Sequence, residues 1–91
     1  MDIRADERPE QGQGLEGCVF NLALDVSDNL ALCVGIRYIG GNPSNHKNYR
    51  FDHANLWRDG SESPERISMT EARRILRGQG LLLRDLPVYL K

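Results

Sequence analysis

The chain has 91 residues, of which 27% are charged, and its net charge is only −1. A chain of this length forms a single small domain with a modest core, which argues against a large enclosed active-site cavity. The near-neutral charge excludes a protein whose whole surface binds nucleic acid, so any such binding would be local. The sequence has no apolar run of signal-peptide or membrane length, which favours a cytoplasmic protein without membrane contact.

The first segment, residues 1–14, is rich in charged residues and glycine and has almost no apolar side chains. Such a segment cannot bury enough surface to offset the entropy lost on ordering. We therefore expect a disordered N-terminal arm over 1–14 and one folded domain over 15–91.

Residues 17–39 carry the strongest pattern in the chain, two apolar series that mirror each other about a polar triplet, Ser27 to Asn29. Strand side chains alternate between faces, so each series occupies one face of a strand. A three-residue loop with Asn29 in the left-handed conformation predicts five pairs: Val26 with Leu30, Leu24 with Leu32, Leu22 with Val34, Phe20 with Ile36, and Cys18 with Tyr38. A two-residue loop would slip the register and expose one series, so the pattern predicts a β-hairpin with the longer loop.

Turn-forming residues over 40–48 predict a loop, and a third strand follows over about 49–57. Simple alternation places the odd-numbered residues from Tyr49 to Trp57, His53 among them, on one face of this strand. The pattern is weaker than in the hairpin and is typical of an edge strand.

One helix is predicted, over about 69–77. Ser68 and Glu71 match a reciprocal capping box, and Gly78 stands where a left-handed C-terminal residue is expected. An apolar stripe along the helix predicts packing on the sheet. Residues 81–90 would form either a final strand or an extended docked tail. Together these elements predict an α+β fold, a small antiparallel sheet with one short helix on its apolar face.

Four residues between the hairpin and the third strand are candidates for catalysis: His46, Lys47, Arg50 and His53. Two histidines can cleave a phosphodiester by acid–base catalysis, with His53 as base and His46 as acid, while the two cations stabilise charge on the phosphate. Nothing in the sequence sets the distance between the two rings, so structural roles for both histidines are the favoured interpretation.

The cysteines and histidines are also metal-ligand types, but they lack the paired spacing of zinc sites. We therefore expect no metal site and no cofactor. In the predicted hairpin, Cys18 points to the apolar face and Cys33 to the opposite face, which predicts two free thiols.

A basic strip on the helix is the first candidate surface for partner binding. Arg73, Arg74 and Arg77 fall on adjacent helical positions, with Arg84 expected nearby. Guanidinium groups in a row suit the phosphates or carboxylates of a partner. The alternative is a solvated helix face whose arginines complement the helix dipole.

Two further surfaces involve aromatic and apolar residues. Trp57 beside Arg58, and Tyr89 in the tail, are aromatic residues of the kind enriched in binding hot spots, although core packing explains such residues as well. The tail over 86–91 could pair with a second copy and form a homodimer, or it could fold back on its own sheet.

The leading hypothesis is a small non-catalytic interaction module that binds a protein or nucleoprotein partner. A phage or mobile-element protein that inhibits a host complex is the setting that we expect from its size. The alternatives are a small ribonuclease or toxin-like enzyme that uses His46 and His53, and an RNA or DNA binder that uses the arginine strip.

Overall fold

The structure is a computed structural model that describes residues 2–91. Over these residues the fold is α+β, as predicted: a five-stranded antiparallel sheet in the order β1-β2-β3-β4-β5, with one α-helix and two 3-10 helices. The strands are β1 (Ile3–Ala5), β2 (Val19–Ser27), β3 (Leu30–Tyr38), β4 (Tyr49–Arg58) and β5 (Glu65–Ile67). Helix α1 spans Met69–Gly78, and the two 3-10 helices span His46–Asn48 and Leu83–Tyr89.

The hairpin of β2 and β3 has the predicted register over most of its length. The confirmed pairs are Phe20 with Ile36, Leu22 with Val34, and Leu24 with Leu32.

The two ends of the hairpin differ from the prediction. At the turn, Ser27 pairs with Leu30 and a bulge lies between Asp25 and Ser27, so the predicted pairing of Val26 with Leu30 is wrong. The predicted left-handed conformation of Asn29 is also wrong, because no residue other than glycine among 2–91 has a positive φ. The bulge supplies the extra residue that keeps the apolar series in register around a two-residue turn. At the other end, the Tyr38 N–H donates to the Cys18 carbonyl, but Cys18 precedes β2 and its side chain is exposed rather than packed in the core.

The N-terminal segment forms a strand. Ile3–Ala5 pairs with β2, and Asp6 continues this contact by exchanging hydrogen bonds with Asn21. Further along, Pro9 is buried. The predicted disordered arm is therefore wrong for these residues, because the free edge of β2 offers backbone hydrogen bonds that the composition of the segment does not reveal.

Strand β4 pairs with β3 on one side and with β5 on the other, so the predicted edge position of this strand is wrong. A bulge at Asp52 places Gly35 opposite His53 and Ile36 opposite Phe51. The extra residue reverses the alternation of faces. Both halves of β4 therefore contribute to the same core, and the predicted single face for the odd-numbered residues is wrong.

Helix α1 packs on the sheet through Ala72 and Leu76, which are both fully buried. At its start, the Ser68 hydroxyl accepts a hydrogen bond from the Glu71 N–H as predicted, but the Glu71 carboxylate pairs with Arg74, so the capping box is not reciprocal. At its end, the left-handed residue is Gly80 (φ 76°) rather than Gly78.

The turn after α1 is a Schellman motif. The N–H of Gly80 donates to the carbonyl of Arg77, and the N–H of Leu81 donates to the carbonyl of Leu76. The chain then enters the Leu83–Tyr89 3-10 helix, which stands where a strand or extended tail was predicted. This helix and the residue after it bury Leu86 and Leu90 against the core, so the tail folds back on its own sheet, which is one of the two predicted alternatives.

The sheet thus has two different faces. The covered face packs its buried residues against α1 and the C-terminal 3-10 helix; the buried residues of the sheet are Leu22, Leu24, Leu32, Val34, Ile36, Tyr38, Tyr49, Ala54 and Leu56. The open face carries the alternating residues of the same strands, such as Arg4, Gly35, Arg37 and His53.

Candidate functional site

A groove of about 590 Å³ lies on the covered side of the sheet, beside α1 and both 3-10 helices. Basic residues from four separate elements line it: His46, Lys47, Arg50, Arg73, Arg77 and Arg84. Its other lining residues are apolar or aromatic: Ile36, Tyr49, Phe51, Leu81, Leu82, Leu83 and Pro87. Among residues 2–91, no acidic side chain lines this groove. We call it the cationic groove.

Two local features of the fold bring the far parts of the chain to this groove. Arg73 and Arg77 lie one turn apart on α1, on the flank of its buried stripe. The Schellman turn then returns the chain, so that the three leucines from Leu81 and the following Arg84 line the same space. Across the groove, the bulge in β4 keeps Phe51 on the covered face, where it forms part of the floor.

The wall that carries His46 and Lys47 is held by hydrogen bonds to its backbone. The Asn45 side chain accepts from the Lys47 N–H at 3.0 Å, and the Arg50 guanidinium donates to the Lys47 carbonyl at 2.8 Å. The Tyr49 hydroxyl donates to the Pro43 carbonyl at 2.6 Å. Burial raises the pKa of Tyr49, so its hydroxyl stays protonated and able to donate at neutral pH.

The permanent charges of the groove are not neutralised by the protein. Within residues 2–91, none of its lysine and arginine residues forms an ion pair with an acidic side chain. Several arginines outside it do so: Arg4 lies 3.2 Å from Asp25, Arg37 lies 2.7 Å from Asp52, and Arg74 pairs with Glu71. The groove therefore concentrates unpaired positive charge over an apolar floor.

The structure divides the predicted basic strip. Arg73, Arg77 and Arg84 line the groove, whereas Arg74 does not and is bound to Glu71. The sequence does not predict that Lys47 and Arg50, two of the candidates for catalysis, line the same groove as these arginines. No local spacing signals this convergence, because it depends on how α1 crosses the sheet.

The two histidines lie on opposite sides of the sheet. His46 lines the cationic groove, whereas the His53 ring lies on the open face over Gly35, where an added Cβ would be 2.3 Å from ring Cε1. His53 Nδ1 is 2.7 Å from an Asp52 carboxylate oxygen, and Arg37 donates to the other oxygen at 2.7 Å. These bonds, that from His53 first and that from Arg37 second, lower the pKa of Asp52. The structure therefore does not assemble the predicted two-histidine site.

The remaining candidate residues lie outside the groove. Trp57, 40% exposed, and Arg58 line a separate shallow depression at the hairpin turn, and Arg58 Nε is 3.8 Å from Glu65. Tyr89 is 38% exposed at the end of the C-terminal 3-10 helix. The structure does not join these three residues to the arginines of the groove.

Both cysteines have free thiols, and burial raises the pKa of Cys33. In the part of the chain that the structure describes, no three His, Cys, Asp or Glu side chains are grouped so that they could hold a metal ion. None of the helices formed by residues 2–91 has the length and apolar character needed to cross a membrane.

No family model matches the chain, and comparison with curated proteins and with solved structures finds no match.

Proposed function

We propose that this protein is a small non-catalytic interaction module that binds an acidic segment of a partner protein in the cationic groove. The observation that supports this proposal is the convergence of five permanently charged residues, none of which forms an ion pair within residues 2–91, on a groove with an apolar floor.

The charge pattern favours an anionic ligand. Gathering like charges at one site opposes folding, and a bound anion relieves that repulsion. Four of the five permanent charges are arginines, whose planar guanidinium groups form paired hydrogen bonds with carboxylates and phosphates. Arginine stays protonated at physiological pH and so supplies binding rather than proton transfer.

The floor of the groove favours a protein ligand over a nucleic acid. Binding of single strands without sequence preference uses aromatic rings on which bases stack. Here the floor is mainly aliphatic, and Trp57 and Tyr89, the exposed aromatic side chains, lie outside it. A peptide that carries Asp or Glu next to a leucine-sized side chain would contact both the cationic rim and the floor.

We do not propose the phosphodiester cleavage mechanism, because His46 and His53 lie on opposite faces of the sheet. The inhibition of a host complex, the phage or mobile-element origin and the cytoplasmic location stay predictions.

The proposal can be tested by selection from a random 12-residue peptide display library against the full chain. We expect the selected peptides to combine acidic residues with Leu, Ile or Phe. Arg77→Gln should weaken their binding by about 10-fold, since a charge-assisted hydrogen bond contributes about 1.5–3 kcal/mol.

Arg74→Gln is the matched control, because it removes the same charge from the same helix outside the groove. It should leave the affinity nearly unchanged. Selected peptides without net negative charge, or equal losses in the two variants, would contradict the proposal. A random single-stranded oligonucleotide pool that binds more tightly than the peptides and depends on Arg77 would instead support the nucleic-acid alternative.

A further inference from the structure

Arg8 lies outside the cationic groove but bonds to both chain segments that form its walls. One wall, with His46 and Lys47, follows Ser44 in the chain, and the other, with Leu83 and Arg84, belongs to the C-terminal 3-10 helix. Arg8, from the N-terminal segment, reaches both. Its Nη1 donates to the Ser44 hydroxyl at 3.2 Å, and its Nη2 donates to the carbonyls of Val88 and Leu90 at 3.4 and 3.3 Å.

The segment that carries Arg8 is fixed at both ends. On one side, Asp6 accepts a hydrogen bond from the Asn21 N–H at 2.8 Å through its carboxylate. On the other side, the Arg8 N–H donates to the Lys91 carbonyl, and the Lys91 N–H donates to the Asp6 carbonyl. These bonds tie the first residues of the fold to the last ones.

One nitrogen of the Arg8 guanidinium is enclosed, whereas the outer nitrogens make exposed or part-buried hydrogen bonds. Its Nε is buried and has no hydrogen-bond partner among residues 2–91, so its bonds to the walls are made through the two outer nitrogens. A single lysine ammonium could not reproduce this arrangement, because only the planar fork presents separate donors in fixed directions.

We infer that Arg8 is a positioning residue that sets the spacing between the two walls of the cationic groove and thereby the affinity of the groove for its ligand. This inference rests on the proposed function, but its structural part can be measured without a ligand. Arg8 acts through Ser44 and through the carbonyls of the C-terminal segment, since it does not itself line the groove.

Hydrogen exchange on the full chain tests the structural part. In Arg8→Ala and Arg8→Lys, amide exchange over 44–48 and 83–91 should be about 10-fold faster than in the wild type, because the loss of a few hydrogen bonds permits local opening. Exchange in β2 and β3 should not change. Ser44→Ala should speed amide exchange only over 44–48, because it removes only the bond from Arg8 to this wall. This variant tests the inference even if the Arg8 variants fail to fold. Unchanged exchange over 44–48 in the soluble variants would overturn the inference.

Peptide affinity tests the functional part. The peptides selected against the wild type should bind Arg8→Ala and Arg8→Lys about 5- to 10-fold more weakly, as expected when preorganisation is lost. Arg4→Ala is the control, because Arg4 lies in the same segment but pairs with Asp25 on the open face. Faster exchange with unchanged affinity would show that Arg8 stabilises the fold without setting the groove. If no peptide binds the wild type, the proposed function fails, and the exchange data still decide whether Arg8 holds the walls.

Discussion

The two faces of the sheet use positive charge in opposite ways. On the open face, Arg4 and Arg37 are each satisfied by a carboxylate, Asp25 and Asp52. On the covered side, the arginines that line the cationic groove have no such partner within residues 2–91. The charges of Arg4 and Arg37 are therefore compensated within the fold, whereas those of the groove residues are available to another molecule.

This difference teaches where to look for function in a small chain with balanced charge. An exposed ion pair contributes little to stability, and its two charges largely cancel at a distance. Unpaired cations beside apolar surface, by contrast, can engage a ligand through both charge and burial. The comparison between the faces can be sharpened by three predictions about stability.

The largest effect is expected from Leu32→Ala on the covered face. Leu32 has no exposed surface, and truncation of a buried leucine lowers the free energy of unfolding by about 2–5 kcal/mol. Cys33→Ala is the control. Cys33 is next to Leu32 on the same strand, but its side chain faces the other way and is only half-buried. Urea denaturation should show a clearly smaller loss for Cys33→Ala. Similar losses at both positions would mean that the two faces do not differ in packing.

A smaller effect is expected from Gly35→Ala on the open face. The new Cβ would overlap the His53 ring, which would have to turn away from Asp52, at a cost of about 1–3 kcal/mol. In a His53→Ala background the same change should be nearly neutral or stabilising, because alanine suits a strand interior better than glycine. A double-mutant cycle by urea denaturation measures this coupling. Additive losses would show that the ring does not occupy the space over Gly35.

The smallest effect, and one that depends on pH, is expected from Asp52→Asn. The hydrogen bond with His53, and after it the bond from Arg37, lower the pKa of Asp52 in the folded protein below its ordinary value of 3.8. The carboxylate therefore stabilises the fold above pH 3.8, and this contribution is lost as the pH falls through the lower folded pKa. Unfolding free energies of wild type and Asp52→Asn should converge in that acidic range.

Asp28→Asn serves as its control, since Asp28 lies in the hairpin turn and makes no ion pair with residues 2–91. At neutral pH its loss of stability should be smaller than that of Asp52→Asn, because no ion pair is removed. A constant difference between wild type and Asp52→Asn down to the most acidic conditions would contradict the role assigned to the cluster.

The sequence predicts only part of the candidate site. Both basic clusters were recognised, but as separate hypotheses, one catalytic and one for binding. Their union depends on the packing of α1 and the C-terminal 3-10 helix over β4, which no local pattern encodes. The sequence also does not predict the aliphatic lining from Leu81 to Leu83, because its pattern favours a strand or a tail there.

The sequence by itself determined the α+β class, the central register of the hairpin and the start of α1 at Ser68. These features depend on side chains that are close in the chain, so alternation and capping reveal them. Only the tertiary structure decided the order of the N-terminal segment, the bulge at Asp52 and the cationic groove. Each of these depends on contacts between distant residues, and a single extra residue in a strand is enough to move every following side chain to the other face.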